Sequence, residues 1–229
     1  MAKKILVLGS FVADVAFRAA RLPAWGETLM GSGFALGPGG KGSNQAVAAA
    51  RAGAAVQMFS RLGDDAFGRL ARETWAADGI DASLVENCAT ATGSAVILID
   101  EVSGENAIIV VPGACFTLRP KDVEAAGVAI RGAEVLLTQL ELPLDTVECG
   151  LRLAREAGVR TILNPAPAQA LSDEMLGLAD FLIPNESEAA LLTGLPVESV
   201  AQAEAAARVL MGRGAKCVIV TLGAQGALV

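Results

Sequence analysis

Residues 37–59 read GPGGKGSNQAVAAARAGAAVQMF. A loop with four glycines, a proline and one lysine runs into an alanine-rich stretch of helical length, 43–51, and then into a short apolar run, 56–59. Glycine lets the backbone turn tightly and come close to a ligand. Ser43 is the predicted helix N-cap, and free amides at that helix start beside Lys41 suit an anionic or hydroxyl-rich ligand. Loop, helix and buried strand in this order form a unit of an open α/β sheet.

The same rhythm extends in both directions. Apolar runs at 5–8, 135–139, 161–163, 181–183 and 217–221 have the length and composition of buried parallel strands. Between them, 66–77, 145–156, 186–192 and 200–211 have helical length and amphipathic or alanine-rich patterning. The predicted fold is a doubly wound, mostly parallel α/β sheet. Two regions break the alternation. Residues 17–36 and 94–111, the latter reading SAVILIDEVSGENAIIVV, suggest strands joined by turns and are expected to form an accessory β-sheet. With no internal repeat or low-complexity linker, 1–229 reads as one domain in which segments of about 12–37 and 94–112 are inserted.

Composition narrows the function. A formal net charge of −7 argues against nucleic acid or an anionic membrane as partner, since both are held by clustered Lys and Arg. The apolar runs fall far short of the roughly 18 residues of a membrane span, and the start MAKKILVLGS runs straight into a strand, so the expected compartment is the cytoplasm. The four cysteines, Cys88, Cys115, Cys149 and Cys217, lie far apart and make no Cys-x-x-Cys pair. Histidine is absent, which removes Ser-His and Cys-His nucleophile pairs and the usual zinc-hydrolase ligands. Chemistry is left to carboxylates, lysine, backbone amides or a bound metal. In an open α/β sheet the ligand crevice lies beyond the carboxyl ends of the strands. Asp14, Glu141, Asn164, Asn185 and Glu188 all fall at or just past such ends.

The glycine loop fits neither common phosphate motif. A Walker A loop needs Ser or Thr directly after its lysine to hold magnesium, and Gly42 stands there. Gly37, Gly39 and Gly42 have dinucleotide-binding spacing, but that fingerprint should follow the first strand, where only Gly9 is found. Asp64 lies near the spacing of a ribose anchor yet follows a different strand, so an NAD-dependent oxidoreductase is disfavoured.

Taken with LGSFVAD (8–14), TQLELP (138–143), LNPAPA (163–168), IPNESEAALLTG (183–194) and VIVTLGAQG (218–226), the loop GPGGKGSNQAVAAARAG resembles the ribokinase-like (pfkB) family of carbohydrate kinases, in order and spacing, from Ile5 to the last residue. The resemblance implies a three-layer α/β/α fold with a small β-sheet lid over the sugar. It implies that Asp14, Gly40, Lys41, Asn44 and Glu141 bind the sugar, that Asn185, Thr221 and Gly223 serve the nucleotide, and that Glu188 serves the metal. The implied activity is transfer of the γ-phosphate of ATP to a primary hydroxyl of ribose or a related pentose, with Mg2+, and with K+ as a further candidate. A homodimer joined through the lid sheet is the implied assembly.

The chain departs from the family pattern in two places. Val12 stands where ribokinases usually have an asparagine that bonds the sugar, which makes a deoxysugar, another furanose or a nucleoside more plausible. The resemblance places the family's catalytic aspartate, in a Gly-Ala-Gly-Asp motif, beyond Val229 together with most of the adenine pocket, so the chain as written is expected to transfer phosphate poorly or not at all. A non-catalytic sugar-binding or regulatory protein of the same fold is the competing reading.

Overall fold

A computed structural model describes residues 4–229. The first strand, β1 (Lys4–Leu8), is wholly apolar after its lysine, and its last three residues are buried, as in a strand covered on both faces. Its carboxyl end passes through Gly9, Ser10 and Phe11 into β2 (Val12–Ala19), which pairs in antiparallel register with β3 (Gly33–Gly39). Helix α1 (Lys41–Arg51) follows, then β4 (Ala55–Gly63), α2 (Ala66–Ala77) and β5 (Asp81–Cys88). Strands β6 (Thr92–Asp100) and β7 (Asn106–Gly113) form a second antiparallel pair. Short helices α3 (Pro120–Ala125) and α4 (Gly127–Arg131) lead to β8 (Val135–Thr138), α5 (Leu144–Glu156), β9 (Arg160–Leu163), α6 (Asp173–Gly177) and β10 (Phe181–Leu182). The chain continues through α7 (Glu186–Thr193), α8 (Val200–Gly212), β11 (Cys217–Val218), β12 (Val220–Thr221) and β13 (Ala227–Leu228).

The main sheet has seven strands in the order β11-β10-β9-β8-β1-β4-β5, and each pairing in it is parallel. The smaller sheet is mixed and has four strands, β3-β2-β6-β7, with β2 and β6 parallel at its centre. It occupies the two regions that break the strand-helix alternation. Its strands begin at Val12 and Thr92 and end at Gly39 and Gly113.

Two cores flank the main sheet. Leu6, Leu8, Leu136, Leu163, Leu182 and Val218 point to the face covered by α3 to α8. Val7, Val56 and Met58 point to the opposite face, where they meet Ala46 of α1 and Ala71 and Trp75 of α2. That second layer spans only part of the sheet. The alternate residues of β8 to β11 and their ends, Leu137, Ile162, Phe181, Ile183, Cys217 and Ile219, are half-buried, whereas their neighbours Leu136, Leu163, Leu182 and Val218 are buried.

Local details differ from the sequence reading. Ser43 is not the N-cap of α1. The helix begins at Lys41 behind Gly40, and Ser43 is buried inside the first turn, where its hydroxyl accepts a 2.9 Å hydrogen bond from Trp75 Nε1. The expected strand at 217–221 is broken at Ile219, because β11 pairs with β10 while β12 turns away to pair with β13. Strand β5 was not expected. Its exposed outer positions carry Asp81, Glu86 and Asn87, which mask the apolar alternation of an edge strand. Among the described residues, no helix is long and apolar enough to cross a membrane.

Candidate active site

The first turn of α1 is held from two other parts of the chain. Glu141, three residues beyond β8, accepts a 2.8 Å hydrogen bond from the Lys41 amide and a second, short one from the Ser10 hydroxyl. The Ser43 amide donates to the Ser10 carbonyl at 2.9 Å, and the Gly42 amide reaches the Ser10 hydroxyl at 3.4 Å. The helix-start amides expected to be free for a ligand therefore already have protein acceptors. They orient Glu141 instead, and its carboxylate compensates the positive end of the helix dipole.

This packing explains the glycines. Gly40 adopts φ 85° and ψ 132°, and a Cβ there would stand 2.7 Å from the Val12 amide nitrogen. A Cβ on Gly39 would sit 2.2 Å from Asp14 Oδ2. The loop has no side chains at these two positions because the β1–β2 connection and the Asp14 carboxylate occupy the space.

Asp14 projects from β2 beside this loop. Burial and then the nearby charge of Glu141 hold its carboxyl above the ordinary value of 3.8. No hydrogen bond among the described residues joins that carboxylate to another protein group. The Lys41 ammonium likewise has no ion-pair or hydrogen-bond partner among the described residues. A half-buried acid and a lysine left unpaired cost stability, and such costs are typically retained where a ligand supplies the missing partners.

Ionising Asp14 opposes folding, because its pKa in the folded chain is raised. The associated stability is complete below pH 3.8 and is lost as the pH rises through the higher folded value. Asp14→Asn should accordingly melt higher than the parent at neutral pH. The difference should vanish as the pH is lowered toward 3.8, as read by thermal melts across that range.

Lys41 lines two cavities. One, of about 420 Å³, lies under the small sheet and is bounded by Val12, Val110, Pro112, Phe116, Leu140, Glu141 and Pro167. The other, of about 320 Å³, is bounded by Gln45, Leu137, Asn164, Ala166, Ile183, Asn185, Glu188 and Thr221. Asn185 and Glu188 are joined at the start of α7. Asn185 Oδ1 accepts from the Glu188 amide at 2.8 Å, and Glu188 Oε2 accepts from the Asn185 amide at 2.9 Å. This reciprocal cap fixes the buried Glu188 carboxylate at the cavity wall.

Of the residues singled out in the sequence, Lys41 and Glu141 therefore meet in one cavity, and Lys41, Asn185, Glu188 and Thr221 meet in the other. Gly40 caps α1, and Asp14 lies beside Glu141. Asn44 is exposed on the first turn of α1, and Gly223 is exposed in the turn after β12; neither lines these two cavities. Ser10, Gln45 and Gln139 were not anticipated. Gln139 Nε2 donates to Gln45 Oε1 at 2.5 Å, and Gln45 Nε2 donates to Asn164 Oδ1 at 3.2 Å, which ties the ends of β8 and β9 to α1. Gln45 follows Lys41 by four residues and so shares its helix face, a signal present in the sequence. Gln139 had no such signal.

Cys115 lies under Glu141, but burial and then that carboxylate push its thiol up to about 12, so it is no nucleophile at neutral pH. A larger concavity, about 1130 Å³, opens at the amino ends of the strands around Val135, Phe181 and Cys217. Ligands of open α/β sheets collect at the carboxyl ends.

A parallel α/β sheet with two adjoining cavities at its carboxyl edge, one roofed by a β-sheet flap and one at a capped helix start, is the architecture of a domain that binds two small ligands side by side. The sequence matches that of the pfkB family carbohydrate kinases over residues 2–229, and the chain belongs to that family. It is 42% identical over 230 residues to the ribokinase of Haemophilus influenzae, covering all of this chain and 75% of that protein. It is 37% identical to the deoxyribokinase of Salmonella typhi over 98% of this chain and 74% of that protein. The structure of Arabidopsis thaliana ribokinase complexed with ribose and ATP superposes with a TM-score of 0.90 at 33% identity, covering 99% of this chain and 74% of that one.

Proposed function

We propose that this carbohydrate kinase transfers the γ-phosphate of ATP to a primary hydroxyl of a pentose, ribose or its close relatives. The observation that carries the reading is that Lys41 borders both cavities, with Glu141 on one side and Glu188 on the other. A sugar held in the first cavity has its hydroxyls against Asp14 and Glu141, next to the glycine loop. The phosphates belong in the second, beside Asn185, Glu188 and Thr221, with Gly223 in the turn that follows. Phosphoryl transfer asks a protein chiefly to align the two reactants and neutralise charge, and adjoining cavities joined by one lysine suit that task.

Magnesium takes oxygen ligands, retains several waters and often uses only one or two protein carboxylates. Glu188 fits an outer position of this kind: both its oxygens accept from Asn185, through the main-chain amide at 2.9 Å and Nδ2 at 3.1 Å, and a carboxylate has lone pairs left for metal-bound water. The metal would supply charge neutralisation on the phosphates, and Asn185 and Glu188 would orient its waters. K+ is a further candidate ion.

We read 1–229 as one kinase domain, with the small sheet acting as a lid over the sugar. Its outer face carries Phe17, Phe34, Leu36, Ile109 and Val111, all exposed. An apolar sheet face of this kind suits pairing with a second copy. Phe34→Glu should convert a dimer to a monomer by size-exclusion chromatography with light scattering; a parent chain that is already monomeric would end that part of the proposal. Four cysteines without a disulfide agree with a cytoplasmic location.

The test is ligand-induced stabilisation. A pentose or Mg-ATP at 100 times its Kd adds about 2.7 kcal/mol, which for a chain of this size raises the melting temperature by roughly 5–10 °C. If no pentose, hexose or nucleoside moved the melt, the kinase reading would fall.

A further inference from the structure

Three side-chain amides form a row under the second cavity, and the row has a fixed direction. Asn164 Nδ2 donates to the Ile183 carbonyl at 2.8 Å, which leaves Asn164 Oδ1 to accept from Gln45 Nε2 at 3.2 Å. Gln45 Oε1 in turn accepts from Gln139 Nε2 at 2.5 Å. The Ile183 carbonyl can only accept, so it sets the orientation of Asn164, and each amide then sets the next. The burden falls at the far end. Gln139 is fully buried, and its Oε1 has no hydrogen-bond partner among the described residues. Turning the Gln139 amide over would bring two oxygens together at Gln45, so the orphaned acceptor is the consequence of how Gln45 is held.

That orientation leaves a donor in the cavity. A primary amide carries two N–H groups, and Gln45 Nε2 uses one of them on Asn164. Gln45 lies one turn along α1 from Lys41, on the same helix face, and both line the second cavity. Lys41 also borders the sugar cavity, so an anion against this pair is the one nearest the sugar. We infer that Gln45 donates to the terminal phosphate of ATP, and that Gln139 and Asn164 are positioning residues that keep its N–H turned to the cavity. This rests on the kinase reading, in which the phosphates occupy that cavity.

Calorimetric titration of the 229-residue chain with Mg-ATP and with Mg-ADP tests it. Gln45→Met keeps the length of the side chain and removes its amide. A hydrogen bond to a charged group corresponds to about tenfold to hundredfold, so ATP affinity should fall by at least about tenfold while ADP affinity holds. Gln139→Met is the second variant should Gln45→Met not fold. Gln139 lines neither cavity, and its loss frees Gln45 to turn, so the ratio of ATP to ADP affinity should fall at least about threefold without any change in the residues that face the ligand. An unchanged ratio in folded Gln45→Met overturns the donor and leaves the kinase reading intact. Equal losses for ATP and ADP overturn its assignment to the terminal phosphate. An unchanged ratio in Gln139→Met overturns the positioning role. A parent chain that binds neither nucleotide defeats this inference and the nucleotide half of the kinase reading together.

Discussion

Gly40→Ala is expected to lower the melting temperature by roughly 6–12 °C, from about 3 kcal/mol of backbone strain at about 2–4 °C per kcal/mol. The residue lies at φ 85° and ψ 132°, a combination open in practice to glycine alone, and the new Cβ would meet the Val12 main chain at 2.7 Å and the Phe11 main chain at 2.9 Å. These are backbone atoms of the segment that links the main sheet to the lid, so no flexible side chain can give way. Relief requires the loop to withdraw from β2. That moves Lys41 and its bond to Glu141, and the loss of two charge-assisted contacts to a sugar corresponds to about 3 kcal/mol, roughly a hundredfold in affinity. Melting and sugar titration on the same variant would check both halves. A variant with parental stability and parental sugar affinity would show that the loop geometry is not needed.

The second large effect separates a structural role from a metal role at one residue. Glu188→Gln keeps a side chain that can still close the reciprocal cap with Asn185, since glutamine serves in that position as glutamate does. Stability should change by no more than about 1 kcal/mol, the size of a single cap contact. The charge facing the second cavity is lost, and an outer ligand of a metal is typically worth about 10–100-fold in metal affinity. The Mg2+ concentration needed for ATP to stabilise the chain should rise by that factor, measured by melts at fixed ATP and varied magnesium. If magnesium dependence is unchanged, Glu188 is a helix cap and nothing more.

Much of this architecture was legible before any coordinates. The alternation of apolar runs with helix-length segments identified β1, β4, β8, β9 and β10 and helices α2, α5, α7 and α8, with ends within one or two residues except in β4, which runs on to Gly63. Those runs report the burial of each strand by its immediate layers, and helix ends report local capping. Ser199 and Asn185 cap α8 and α7 from their own side chains. Remote partners leave no such local signature. Ser43 has the chemistry of a cap, but the acceptors for the first turn of α1 come from Ser10 and from Glu141, the latter 100 residues away from Lys41. The strand at 217–221 broke because its second half found a different neighbour, and pairing choice is not written in a five-residue apolar run.

The candidate site divides in the same way. Glu141, Asn185 and Glu188 stood out as polar residues at or just past the ends of apolar runs and Lys41 as the lone charge of the glycine loop, and they line the two cavities. Asn44 shared the glycine-loop motif yet is exposed, since a motif records sequence neighbours and not the direction of a side chain, and Gly223 is exposed in the turn after β12.

From the order of its residues alone, this protein was committed to a parallel α/β sheet with an inserted β-sheet, to a glycine loop ahead of a helix, and to chemistry without histidine, because each follows from local periodicity, backbone freedom and composition. Only the tertiary structure decided that Glu141 anchors the start of α1, that the first amides of that helix are already taken, that Lys41 borders two cavities, and that the sheet face over β8 to β11 is half covered. Those outcomes depend on which distant segments come together, and hydrogen-bond acceptors, cavity walls and covering layers can each be supplied from anywhere along the chain.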